Sequence, residues 1–342
     1  MNKNHTYNLT YSDSKYRSDD LGNNLITNSY SGPIDITSLS MDNFINVEAT
    51  IYIYNTGSYA EWKEQVSNTL GFNPGQTIQI PINVISVLGS EYPRTIASSQ
   101  AFFIKSFPNG GQFIVDYERN VYNSTSFNNQ KRVISEVNPE FNVLKIDVKS
   151  SQSNDRLYLI EHKDCTPNFD NGYDAIKIFD NNGPQIFAIN DSIYTSINTS
   201  NNIVNQSIGF RGDSEYEMYT LTFNIDKLYS YDKLYLYDII TNEYVDILSN
   251  ETYTFYHIQS NNEPRFLITT DKKNGDRDIV TATETIDSFN EINLNDIIYI
   301  YNFNGHLIYN SKVDSSNDLN NLTNGIYIVI TNNKTFKLCL LK

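Results

Sequence analysis

Residues 141–149 read Phe-Asn-Val-Leu-Lys-Ile-Asp-Val-Lys. Successive side chains of an extended chain point to opposite faces. Val143, Lys145, Asp147 and Lys149 therefore share one face, and Leu144, Ile146 and Val148 share the other. Half-buried strands alternate in this way. The same period of two recurs at Thr50–Tyr54, where Ile51 and Ile53 oppose Tyr52 and Tyr54. One stretch has a helical period instead. Ser58 and Glu61 form a capping box, Tyr59, Trp62, Val66 and Leu70 fall on one face, and Gly71 can close the end. The spacing predicts a helix over 58–70, with Trp62 as its core anchor.

Outward from these stretches, four regions follow. Residues 1–40 are polar and weakly patterned, and read as an N-terminal arm that lies on a neighbour or stays loose. Residues 41–148 read as a β-rich domain carrying the helix. Pro81 puts Thr77–Val87 at a sheet edge or a break. Ala101–Phe107 and Gln112–Tyr117 flank Pro108-Asn109-Gly110-Gly111 and predict a hairpin. Lys149–Asn154 reads as a linker. Residues 155–270 contain many short strands separated by turn residues, which is the pattern of a β-sandwich; Gly209-Phe210-Arg211-Gly212 reads there as a turn. Lys272–Asp278 reads as a second linker. Residues 279–342 hold two hairpins, Ile297–Phe303 with His306–Asn310 and Ile326–Thr331 with Thr335–Leu340, enough for a small Ig-like sandwich. The expected fold is mainly β: tandem β-sandwich or Ig-like domains with one short amphipathic helix in the N-terminal unit.

Composition narrows the function classes. The 342 residues carry 25 Lys+Arg and 40 Asp+Glu, a net charge of −15. That excludes coating nucleic acid by bulk electrostatics and leaves no polybasic membrane footprint. Four His and two Cys leave little material for a zinc site or a disulfide scaffold. The excess lies in Tyr, at 26, and Asn, at about 47. Residues 1–20 lack the apolar run of an export leader, and no run reaches a membrane span, so the sequence reads as soluble and not exported by the standard route.

Candidate chemistry is sparse. G-x-S-x-G, H-E-x-x-H, P-loop and G-x-G-x-x-G motifs do not occur. The expectation is no enzyme and no cofactor. Glu161, Asp164, Asp170 and Asp174 form the densest acidic group. Asp164, Asp170 and Asp174 are a weak calcium candidate, because hard cations take carboxylate oxygens. The spacing lacks the regularity of a calcium loop, and the plainer reading is Asx-type turn bonds. His162 and Cys165 would need spatial contact and an orienting third group to act as a nucleophilic pair. His257 and His306 are most simply structural. The Tyr rows Tyr52/Tyr54, Tyr235/Tyr237 and Tyr299/Tyr301 are interface candidates. Twenty-six Tyr exceed what one sandwich core can use, and a ring with a polar tip suits wet contact surfaces. Protein–protein contact is favoured over a carbohydrate platform.

Two stretches carry a family resemblance. Asp155-Arg156-Leu157-Tyr158-Leu159, Phe169-Asp170-Asn171-Gly172-Tyr173-Asp174-Ala175-Ile176-Lys177, Pro184-Gln185-Ile186-Phe187 and Gly209-Phe210 occur in order. Tyr219-Thr220-Leu221-Thr222-Phe223, Tyr235-Leu236-Tyr237-Asp238, Tyr253-Thr254-Phe255 and Arg265-Phe266-Leu267-Ile268 follow. Residues 155–270 thus resemble a β-sandwich module of secreted Bacteroidota proteins. Ile300-Tyr301-Asn302-Phe303-Asn304-Gly305, Leu322–Val329 and Lys337–Lys342 resemble the type IX secretion C-terminal sorting domain. Such cargo carries a signal peptide, which is not found here. The expectation drawn from that conflict is a structural virion protein of a Bacteroidota, crAss-like phage, a tail ring, collar or decoration subunit made in the host cytoplasm. It would assemble as a homo-oligomer with other virion proteins, without nucleic acid or membrane. The alternative is a secreted Bacteroidota surface adhesin or glycan-binding protein exported by type IX secretion.

Overall fold

The computed structural model describes residues 4–12, 22–57, 75–122, 140–151, 153–179, 183–190, 193–212, 216–258 and 264–272, and the strands at 285–286, 297–302, 307–312, 325–330 and 335–340. The helix expected over 58–70, the residues 273–278 of the second linker and His306 lie outside the described residues. The architecture is mainly β, as the alternation predicts.

The first unit contains β1 (Asn4–Leu9), β2 (Asn23–Thr27), β3 (Ile34–Asp35), β4 (Phe44–Ile45), β5 (Thr50–Tyr54), β6 (Thr77–Pro81), β7 (Thr95–Ile96), β8 (Ala101–Lys105) and β9 (Gly111–Asp116). Its sheets run β1-β9-β4 and β2-β8-β5-β6, with β3 paired to β7. The described residues 4–12 and 22–40 are therefore not a loose arm. Leu9, Ile34 and Ile36 are core residues, and β1 pairs with β9 along six positions. The pattern is faint because β1 and β2 are edge strands with mostly exposed side chains. Pro81 ends β6, which is indeed an edge. The hairpin expected across Pro108–Gly111 does not form. The turn is present, with Asn109 and Gly110 at φ 79° and 74°. However, β8 pairs with β2 while β9 pairs with β1, and Phe102 meets Phe113 edge-to-face at 6.0 Å between the sheets. Each strand finds its ladder in a different sheet, so the turn makes a corner.

The second unit contains β10 (Asn142–Lys149), β11 (Asn154–Glu161), β12 (Ala175–Ile176), β13 (Gln185–Asn190), β14 (Ile193–Ser200), β15 (Ser207–Arg211), β16 (Tyr216–Lys227), β17 (Tyr235–Asp238), β18 (Glu243–Asp246), β19 (Thr252–Ile258) and β20 (Phe266–Thr269). They form one sheet in the order β18-β17-β20-β15-β13-β14-β11-β10-β16-β19, with β12 added on β14. The stretch 149–154 is no linker: Lys149 pairs with Asn154, and Ser150 N–H donates to the Ser153 carbonyl at 2.9 Å, so β10 and β11 form a hairpin. Gly209 and Phe210 are not in a turn either. They lie in β15 opposite Phe187 and Ile186. A Cβ on Gly209 would fall 2.2 Å from the Phe187 ring, so glycine there lets the ring approach the backbone. Strand β14 has no apolar alternation to announce it. Its Thr195, Ser196, Asn198, Thr199 and Ser200 are all buried.

The face assignment of β10 places it between two cores. Leu144, Ile146 and Val148 join Leu157 and Leu159 in the interior of the rolled sheet. Val143 joins Tyr158, Ile160, Ala175 and Ile197 in a cluster continuous with Ile51, Ile80 and Phe113 of the first unit. The two units thus share an apolar seam. The third unit contains β21 (Thr285–Ile286), β22 (Ile297–Asn302), β23 (Leu307–Lys312), β24 (Gly325–Ile330) and β25 (Thr335–Leu340), in the order β21-β25-β24-β22-β23. Both expected strand pairs, β22–β23 and β24–β25, are antiparallel neighbours.

Candidate functional site

The ends of the rolled sheet are joined by side chains. Asp238 ends β17 and Arg265 precedes β20. Arg265 Nε donates to Asp238 Oδ1 at 3.0 Å and Nη2 to Oδ2 at 2.8 Å. Both residues are buried. The planar fork matches a carboxylate at two points, which is what makes a buried pair tolerable. From β19, at the other end of the sheet, the Tyr253 hydroxyl lies 3.0 Å from Asp238 Oδ2 and 3.0 Å from Glu243 Oε2 on β18. Arg265 Nη2 also donates to the Tyr256 carbonyl, and its guanidinium lies 4.7 Å from the Phe255 ring centre. Burial, helped by the Arg265 charge, pushes His257 down to about 4, so at neutral pH it is an uncharged neighbour. Burial and the two carboxylates push the Tyr253 phenol up, which keeps it a donor. Strands that share no backbone ladder are closed into a roll by this cluster.

A second buried pair sits where β11 meets β12 and β13. Lys177 Nζ is 2.5 Å from Asp155 Oδ2, and that oxygen also accepts the Ile186 N–H at 2.7 Å. Arg156 pairs with Asp147 and reaches across the seam to Glu91. Polar positions of the quoted module pattern, Asp155, Lys177, Asp238 and Arg265, thus hold the sheet together.

The acidic loop is the third site. Asp170 Oδ2 accepts the Thr166 N–H at 2.6 Å and its hydroxyl at 3.1 Å. Asp174 Oδ2 accepts the Asp170 N–H at 2.7 Å, and Oδ1 accepts the Thr199 N–H at 2.5 Å. Glu161 takes the Ile203 N–H and the Tyr231 hydroxyl. Asp170 and Asp174 thus spend carboxylate oxygens on backbone N–H groups four residues back and on β14, and not on the residue two ahead as an Asx turn does. Asp164 has no part in that bonding. Among the described residues no three His, Cys, Asp or Glu gather closely enough to hold a metal ion. His162 and Cys165 do meet, with Sγ 3.9 Å from Nδ1. His162 is stacked between Phe141 and Tyr173, and burial together with Asp170, Asp174 and Asp164 pushes the Cys165 thiol up to about 12. A thiol held protonated is a poor nucleophile.

The Tyr rows divide. Tyr52 is buried, with its hydroxyl 2.5 Å from Glu48 Oε2, and so cannot offer a contact surface; Thr50, Ile51, Tyr52 and Ile53 are all buried, so both faces of β5 are covered there. Tyr54, at the end of the same strand, is 53 % exposed. Tyr235 and Tyr237 share the outer face of β17, and Tyr237 stacks on Tyr244 of β18 at 4.5 Å. Lys272 Nζ lies 4.9 Å over the Tyr235 ring. One face of the Tyr237 ring is thus taken by Tyr244 and one face of the Tyr235 ring by Lys272. Tyr299 and Tyr301 sit on β22 opposite Asn310 and Leu307, and their side chains lie outside the described residues.

A curated relative is the "Minor fimbrium subunit Mfa5" of Porphyromonas gingivalis, 27 % identical over 262 residues, which are 74 % of this chain and 21 % of that protein. The chain is similar to a fimbrial subunit of the Bacteroidota. It spans about a fifth of that relative's length. No family model and no solved structure matches. Nothing in these comparisons speaks for a sorting domain or for a virion protein.

Proposed function

We propose that this chain is the β-rich contact segment of a secreted, adhesin-like surface protein of a Bacteroidota bacterium, and that it works by binding rather than by catalysis. The similarity over 262 residues to a fimbrial subunit carries this reading. The buried polar groups Asp155, Lys177, Asp238 and Arg265 support it in kind, because they brace strands. Its partners are other surface proteins, its own copies included, met through half-buried Tyr side chains such as Tyr235, Tyr237 and Tyr244. With a net charge of −15, contact between copies falls on such uncharged stretches.

Protease shaving of intact cells that make the protein, followed by mass spectrometry, tests the location. Peptides from 142–258 are expected in the shaved fraction. Their protection inside intact cells, or recovery of the chain in purified phage particles, overturns the reading in favour of a cytoplasmic or virion protein.

A further inference from the structure

Two carboxylates are buried on the two sides of the seam between the first unit and the rolled sheet. Glu48, just before β5, is 1 % exposed, and Asp174, just before β12, is 0 % exposed. Among the described residues neither forms an ion pair. One carboxamide links their neighbourhoods. Asn171 accepts the Ala49 N–H at 2.8 Å and donates to the Val47 carbonyl at 3.1 Å, gripping the backbone on either side of Glu48. Gly172, at φ 83°, lets the loop press on Ala49 and Asn83, and its carbonyl accepts the Asn83 N–H at 2.9 Å. The Asp174 carbonyl accepts the Thr50 hydroxyl at 3.2 Å. Tyr52, which donates to Glu48, also bonds the backbone of Ile176.

The titratable groups that face this pair are few. Asp174 faces Asp170 and Cys165 of its own loop, and Thr199 on β14 brings only its N–H. Glu48 faces Tyr52 on its own strand and Lys105 on β8.

We propose that this seam is a proton-linked joint, which tightens as the pH falls and loosens as it rises. A carboxylate taken from water without a cation is costly, and the group lowers that cost by holding its proton. Burial accordingly pushes Asp174 up to about 7 and raises Glu48 as well, against the Tyr52 hydrogen bond and the Lys105 charge. For an acid raised in the folded state, the stabilisation is complete below the ordinary carboxylate range. It is lost as the pH rises through the folded value, here up to about 7. The shared apolar cluster, the Lys227–Val87 bond and the Ser196–Gln79 bond do not depend on either carboxylate, so the joint loosens without dismantling.

Hydrogen exchange of the full chain between pH 5 and 8, corrected for the chemical exchange rate, reads this in the segments 47–50 and 170–174. Their opening is expected to grow with pH, up to about tenfold per unit for each carboxylate that ionises. Asp174→Asn offers one acceptor to two N–H donors, so it tests folding as well as protonation. Glu48→Gln decides, because its carboxamide still accepts the Tyr52 proton; the pH slope at the seam should become shallower. An opening that stays flat or falls with pH in the unmodified chain overturns the proposal, and so does an unchanged slope in Glu48→Gln.

Discussion

Asp238 and Asp174 are both fully buried, yet they are held in opposite ways. Asp238 meets the fork of Arg265 and the hydroxyl of Tyr253. Asp174 meets two backbone N–H groups. In the first place a charge is matched by a charge, and the product is a closed sheet. In the second a charge is matched only by dipoles, and the product is a seam that responds to protons. The difference shows that burial alone does not fix what a carboxylate does; the partner does.

The comparison breaks most sharply at Arg265. Arg265→Met leaves Asp238 buried without its cation, and urea unfolding should show a loss of about 3–5 kcal/mol. A loss well below about 1 kcal/mol would mean that the cluster does not close the roll. Next comes the opposite pH response. His257 is depressed to about 4, so its contribution is complete above its ordinary value near 6.5 and is lost as the pH falls toward 4. Exchange in β19 should therefore speed up on acidification, by up to about tenfold per unit, while the 170–174 segment slows after correction for chemistry. Parallel responses would erase the distinction between the two sites. Asn171→Ala leaves the Ala49 N–H without its acceptor, at a cost of about 1–3 kcal/mol confined to the seam. Tyr253→Phe removes one hydroxyl from a carboxylate that keeps its guanidinium, so thermal unfolding should register only about 1 kcal/mol. Tyr54→Ser, at an exposed ring, should stay within about 0.5 kcal/mol, whereas Tyr52→Phe, which strips the donor from Glu48, should exceed it.

Legibility in the sequence followed burial on one face. Leu144, Ile146 and Val148 announce β10 because one face is apolar and the other polar. The polar strand β14 gives no such signal. Its Asn198 donates to Gln206 just before β15, Ser196 bonds Gln79, and the Thr199 N–H goes to Asp174. None of those partners is near it in a periodic pattern. Asp238 and Arg265 could be quoted as motif positions, but nothing in their spacing of 27 residues says that they form one ion pair. Tyr52 and Tyr54 are chemically identical and two residues apart, and only the sheet around them makes one a core residue and the other a surface ring.

The sequence by itself determined the mainly β architecture, the strand faces of β10 and the pairing of the two C-terminal hairpins. Period and turn chemistry are local, and local chemistry suffices for them. Tertiary structure alone decided that residues 4–9 and 23–27 are edge strands rather than an arm, that the turn at 108–111 is a corner between sheets, and which buried charges are paired. Those outcomes depend on contacts between residues far apart in the chain, where the gain is set by what each group meets after water has been excluded.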